Sequence, residues 1–217
     1  SINYVPRKAQ LGEQSFDALA AVGSYGLHRG AIGGNVALND KLAVRGDIAV
    51  TSKDGYVDRA DEDRTVAAGS LVWQPNPDLS VRFSLDYADI DASPYWGTPL
   101  VNGSASDELR RQNYNFADGK VHYKDVWARA HAEWRISDSI TFRNDTFIIN
   151  ADREWQNLEE YYYNAGRRNL DRMSYLGIVH DQKQVGTRGD FLITGTLGNF
   201  ANRFTIGAEA NVVELDY

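Results

Sequence analysis

Cysteine is absent from the 217 residues, which removes disulfides, iron–sulfur clusters and thiolate zinc sites from consideration. That absence leaves the compartment open, because a strand-rich protein does not require staples. Long apolar runs are missing too. No stretch approaches the roughly 20 residues that a spanning helix needs, and no charged-then-apolar leader opens the chain, so helical membrane spans are excluded. A mean hydropathy of -0.48 reads as soluble. That test misleads for transmembrane barrels, whose inward residues are polar and whose strands carry only a two-residue period. Positive charge is also in deficit: 23 Lys and Arg against 30 Asp and Glu give a net charge of -7. A nucleic-acid groove needs a basic stripe to displace counterions from phosphates, so no nucleic-acid partner is expected.

Catalytic motifs are missing as well. "VGSYG" sets Ser24 between glycines without the G-x-S-x-G spacing of a nucleophile elbow. There is no phosphate loop, dinucleotide fingerprint or zincin motif. His28, His122, His131 and His180 are scattered and read as polar lining residues rather than ligands. The acidic cluster Asp58, Asp61, Glu62 and Asp63 lacks the ordered spacing of a calcium loop and reads as a solvated link. The chain is therefore not read as an enzyme, and neither a covalent cofactor nor a metal site is expected.

What is present is alternation. In "LSVRFSLDYADIDASPYWGTPLV" (Leu79 to Val101), Leu79, Val81, Phe83, Leu85 and Tyr87 fall on one face while Ser80, Arg82, Ser84, Asp86 and Ala88 fall on the other. This is the period of a strand with one apolar face. The same reading places strands near 14–24, 28–38, 41–53, 64–74, 79–91, 121–135, 139–152, 183–197 and 203–215. They exceed the usual 5 to 6 residues and suit a tilted membrane strand of about 9 to 11. Tight, turn-forming links ("LNDKL", "PNPD", "SDS", "GNFAN") alternate with long polar ones at 54–64, 92–120 and roughly 153–182. The short "SYGLHR" link breaks that rule. Such alternation is what an up-and-down meander shows when one end faces a confined space and the other faces open solvent.

The faces repeat from strand to strand. Leu42, Val44, Ile48 and Val50 oppose Arg45, Asp47 and Thr51, and Phe204, Ile206, Ala208, Ala210 and Val212 oppose Thr205, Glu209 and Asn211. Aromatics collect at strand ends: Trp73, Trp134 and Phe204 beside tight turns, Tyr25, Tyr56 and Tyr87 toward the looped side. Rings with a polar edge favour the headgroup level, so the set reads as two girdles; covering the ends of a soluble core is the other reading. The polar face carries Arg45, Asp47, Arg82, Asp86, Arg129, Glu133, Arg143, Asp145, Arg188, Asp190 and Glu209. Mixed signs do not make an ion-selective ring; they suit a hydrated lumen or one filled by a polar plug, and equally the solvent face of a soluble sheet. Nine antiparallel strands leave two unpaired edges, whereas bacterial single-chain barrels close with an even number. The chain, opening on "SINYVP" without methionine and ending on "VVELDY", is therefore expected to be a segment of a longer one.

These residues also carry a family resemblance. "SINYVPRKA" resembles the end of the plug domain in TonB-dependent outer-membrane receptors, and "VGSYGLHRGAIGGNVALNDKLAVRGDIAVTSKDGYVD" resembles their first hairpin, first periplasmic turn and third strand. "SPYWGTPLV" is similar to a stretch after the fifth strand in the siderophore-receptor branch. The resemblance implies an all-β fold, an antiparallel up-and-down meander of about nine long strands forming part of a transmembrane barrel of about 22 strands with a plugged lumen. It implies residues 1–10 as the plug's C-terminal end and exit, with Ile2 to Pro6 as the connection, and 11–217 as the N-terminal part of the barrel. The implied location is the bacterial outer membrane. Implied partners are a ferric siderophore as transported ligand, outer-membrane lipid, the plug and remaining strands, and the TonB complex acting through a region outside this chain. Loop candidates for ligand contact are Tyr95, Trp96, Tyr114, Trp155, Tyr161, Tyr162 and Tyr163, with Arg167 and Arg168 for anionic chelates; packing of loops against one another is the alternative role. A passive porin-like barrel and a soluble β-sheet binding protein are the competing functions, and fold alone does not choose between them.

Overall fold

The computed structural model describes residues 7–217; the expected plug exit at Ile2 to Pro6 lies outside them. Nine strands form one antiparallel sheet in sequential order: β1 (Gln14–Val22), β2 (His28–Asn39), β3 (Leu42–Lys53), β4 (Glu62–Asn76), β5 (Leu79–Ala92), β6 (Lys120–Ser137), β7 (Ile140–Asn164), β8 (Asn169–Leu197) and β9 (Phe200–Asp216). Among the described residues, β1 and β9 each pair on one side only.

Tight turns join the strands at one end, and local side chains close them. The Asn39 side-chain oxygen accepts from the Lys41 N–H, and that of Asn76 accepts from both Asp78 and Leu79, each a side chain standing in for a backbone turn acceptor. At the fourth turn Gly198 takes φ 63°, which glycine adopts without steric cost.

Register carries the sequence alternation across the sheet. One row runs Phe16, Gly34, Gly46, Gly69, Leu85, Ala128, Ile148, Val185, Val212, all on the apolar face. A neighbouring row on the opposite face runs Ala43, Val72, Arg82, His131, Asp145, Arg188, Glu209. Large side chains on the apolar face are open to the surroundings: Phe83 is 52% exposed and Leu85 53%, so this face is not a core closed by a second layer. Asn144, Thr146 and Thr187 interrupt it, but they satisfy one another, with 2.8 Å between the two threonine hydroxyls and 3.2 Å from the Asn144 amide to Thr187.

The buried cluster lies on the charged face near the tight turns. Ala9 packs with Ala43 and Val72, flanked by Leu11 and Ala37. Residues ahead of β1 thus form a strap across the charged face of β2 to β4. Asn35, 2% exposed, holds it: its carbonyl accepts from Gln10 N–H at 2.9 Å, and its amide donates to Gln10 O at 2.9 Å and Glu13 O at 2.7 Å. Ala9 N–H donates to the Ser70 hydroxyl at 2.8 Å.

One sequence expectation needs revision. Residues 153–182 are not a long loop; β7 runs for 25 residues and β8 for 29, meeting in a short turn at 165–168. In "REWQNLEEYYYN" the β5–β6 link packs over the strand and buries the successive residues Asn157 and Leu158, so the two-residue alternation disappears while the aromatic side chains still favour the extended ladder.

Candidate functional site

The looped end of the sheet gathers an aromatic cluster. The β5–β6 link supplies Tyr95, Trp96 and Tyr114, and the extended part of β7 supplies Trp155 and Tyr161. Trp96 stacks on Trp155 with ring centres 5.7 Å apart and planes within 14°. Tyr114 lies against Tyr161 at 5.9 Å, and the Tyr161 hydroxyl donates to the Gly97 carbonyl. Tyr56, from the β3–β4 link, meets Tyr95 edge-on at 6.0 Å with its hydroxyl 3.2 Å from that of Tyr95. Tyr25 adds a further edge contact to Tyr56. Burial, and after it the nearby Tyr95, pushes the Tyr161 hydroxyl up to about 12. Burial raises Tyr114 as well.

A polar lock fastens this cluster to the sheet. Arg59, at φ 53°, donates to the carbonyls of Asn113 at 2.5 Å and Asn115 at 3.2 Å, while the Asn113 amide donates to Arg59 O at 2.7 Å and Pro94 O at 3.0 Å. Asn115 accepts from Leu158 N–H at 2.9 Å, tying the link to β7. The β3–β4 and β5–β6 links therefore act as one body, with Val57, Asn113, Asn115, Asn157 and Leu158 buried between them and the hairpin. Sequence reading missed this lock. Its only signal was the density of asparagine in "RRQNYNF", which does not name a partner more than 50 residues away. Within the packed cluster the Trp155 indole N–H and the Asn115 amide are buried without an acceptor among the described residues.

The expected ligand candidates divide in two. Tyr95, Trp96, Tyr114, Trp155 and Tyr161 converge as described. Tyr162, Tyr163, Arg167 and Arg168 stand at or near the tip of the β7–β8 hairpin, where Arg167 pairs loosely with Asp171 at 3.8 Å.

All eleven expected inner-face charges lie on the charged face. Arg45 bridges Asp47 at 2.6 Å and Asp17 at 3.0 Å, Arg129 reaches Asp86 at 2.6 Å, and Arg143 reaches Asp190 at 2.6 Å. Asp145 pairs with His131 at 2.7 Å. Arg82, Glu133, Arg188 and Glu209 form no ion pair among the described residues.

No family model matches the chain. Among curated proteins, the ferric-pyoverdine M114 receptor PbuA of Pseudomonas sp. (strain M114) is 23% identical over 144 residues, which is 58% of this chain and 17% of that protein. Among solved structures, the siderophore receptor PiuA from Acinetobacter baumannii superposes with a TM-score of 0.80 at 17% identity, over 97% of this chain and 31% of its own. The fold is that of the TonB-dependent siderophore receptors. The open form of the ferric-catecholate import receptor Fiu from E. coli K12 shares the receptor fold at a TM-score of 0.80 and 18% identity, covering 95% of this chain and 35% of Fiu. The ferripyoverdine receptor of the Pseudomonas aeruginosa outer membrane, bound to ferripyoverdine, does so at 0.76 and 15%, covering 96% and 29%. The chain thus spans 17% to 35% of the length of these relatives. In receptor terms its nine strands are an open section of barrel wall.

Proposed function

We propose that this chain is the N-terminal barrel section of an outer-membrane, TonB-dependent receptor that binds a ferric siderophore and admits it to the periplasm. The observation that carries this reading is the superposition of 97% of the chain on a siderophore receptor at a TM-score of 0.80. In this reading the apolar face meets lipid and the charged face lines the lumen. Residues 1–10 end the plug and 11–217 begin the barrel. Arg82, Glu133, Arg188 and Glu209, which have no ion-pair partner in the wall, hold the plug through a wet, reversible interface. The TonB complex acts through a region outside this chain.

The locked aromatic body at the looped end is the ligand platform. Iron chelates present flat aromatic and amide surfaces, which stack on indole and phenol rings. Trp96, 48% exposed and backed by Trp155, offers such a ring. The exposed Tyr162 of β7 adds a further ring to this end of the sheet. Tyr162, Tyr163, Arg167 and Arg168 form an outer station on the hairpin where anionic chelates first meet positive charge.

The test uses the full-length protein bearing this chain, purified in detergent and titrated with a panel of ferric siderophores. Saturable binding of at least one, weakened by about tenfold in Trp96→Ala, is the expected result. A protein that binds none of them and conducts ions freely in a planar bilayer would be a passive porin instead.

A further inference from the structure

Just beyond the outer aromatic position Tyr87, the apolar-face side of the β5–β6 hairpin carries two carboxylates and an imidazole. Asp89 and Asp91 follow Phe83, Leu85 and Tyr87 on the same face of β5, and His122 of β6 stands directly across from Asp91. The His122 Nδ1 lies 2.7 Å from Asp91 Oδ1 and 3.9 Å from Asp89 Oδ1. One donor atom from each of the three converges within 4.8 Å. The other Asp89 oxygen is already engaged, accepting from the Tyr87 hydroxyl at 2.7 Å, which orients the free one toward His122.

Donor type and spacing together describe a cation site. Oxygen and imidazole nitrogen ligands bind zinc at about 2.0 to 2.2 Å, so ligand atoms around one ion lie roughly 3 to 3.5 Å apart. The observed separations bracket that range, and a small opening of the Asp91–His122 contact reaches it. Both aspartates and the histidine are mounted on paired strands rather than loops, so little order is lost on binding. Lys120 is ion-paired to Glu154, which stands across from His122, at 2.7 Å, and its charge also acts on Asp91; Lys124, opposite Asp89, pairs with neither aspartate among the described residues. The three side chains are 32%, 59% and 25% exposed in the order Asp89, Asp91, His122, so an ion has an open approach.

We propose that Asp89, Asp91 and His122 bind a divalent cation of borderline softness, with zinc as its representative, on the outer surface of the wall where the apolar band ends. A hard ion such as magnesium or calcium takes oxygen ligands and gains little from the imidazole. Three protein ligands leave coordination positions open to water. The proposal concerns the free ion on the outside of the wall, and it stands or falls independently of which chelate the lumen carries.

The experiment is a zinc titration by calorimetry on the full-length protein in detergent, after chelator stripping and in a non-coordinating buffer. The expected result is one saturable site, weakened by more than about tenfold in Asp91→Asn and in His122→Ala, since even outer-shell partners of a metal act on that scale. His180→Ala, which removes a histidine from the opposite side of β8, should bind as the parent does. Cobalt(II) in place of zinc should give a ligand-field absorption that the first two variants lose. Should His122→Ala fail to assemble, Asp91→Asn, which keeps the side-chain shape, decides alone. Equal affinity of the parent and Asp91→Asn, or no saturable binding by the parent, overturns the site and leaves an ordinary His–Asp ion pair.

Discussion

Tyr161 illustrates how one side chain reports on the packed links at the looped end of the sheet. Its ring is closed in by Tyr114 and its hydroxyl is given to the Gly97 carbonyl. Burial, and after it the nearby Tyr95, favours the protonated form. A folded-state value of about 12 against an unfolded value near 10 means that the folded protein holds the proton longer. Its contribution to stability is therefore complete below about pH 10 and is lost as pH rises toward 12. A difference titration of tyrosinate absorbance, parent minus Tyr161→Phe, should show one tyrosine ionising near 12. A midpoint at the ordinary tyrosine value would mean that the hydroxyl faces open water. Tyr161 belonged to the aromatic set visible in the sequence, but the carbonyl it meets did not, because Gly97 lies 64 residues away and has no side chain to mark it.

At the scale of the strand, alternation is enforced only where the two faces meet different media. Phe83 and Ser84 are adjacent in β5 and point to opposite faces, as their partners Leu71 and Ser70 do in β4. If the apolar face meets lipid as proposed, Phe83→Arg in the full-length protein should impair assembly more than Ser84→Arg, because a midplane cation facing lipid costs about 2 to 4 kcal/mol. Heat-modifiable mobility of the two variants measures this, and equal assembly would contradict the assignment of faces. The same physics explains which strand ends could be read in advance. β5 was placed to within a residue because its Leu79 to Tyr87 alternation is unbroken. The upper halves of β7 and β8 read as a loop because buried Asn157 and Leu158 are neighbours, as are exposed Glu159 and Glu160 or Arg172 and Met173, and such pairs obey no two-residue period. The Arg59–Asn113 lock was illegible for a different reason: polar pairs between links leave no periodic trace, and only the fold brings them together.

Over the whole sheet, β1 and β9 each keep one unpaired edge among the described residues, and the apolar face has no second layer. Expressed without its neighbours, the section should aggregate in detergent-free buffer through those edges and that face. Light scattering after refolding tests this, and a monodisperse, cooperatively melting monomer would show that the section is self-sufficient. The strap over β2 to β4 adds a constraint of a different kind, one of timing. Asn35 and Ser70 grip Ala9, Gln10 and Glu13 from the charged face of the sheet. Each grip comes from a strand that follows the strap in the chain, Asn35 from β2 and Ser70 from β4, so the strap takes its place only once those strands have met across β3, and the first residues of the section are among the last to be fixed.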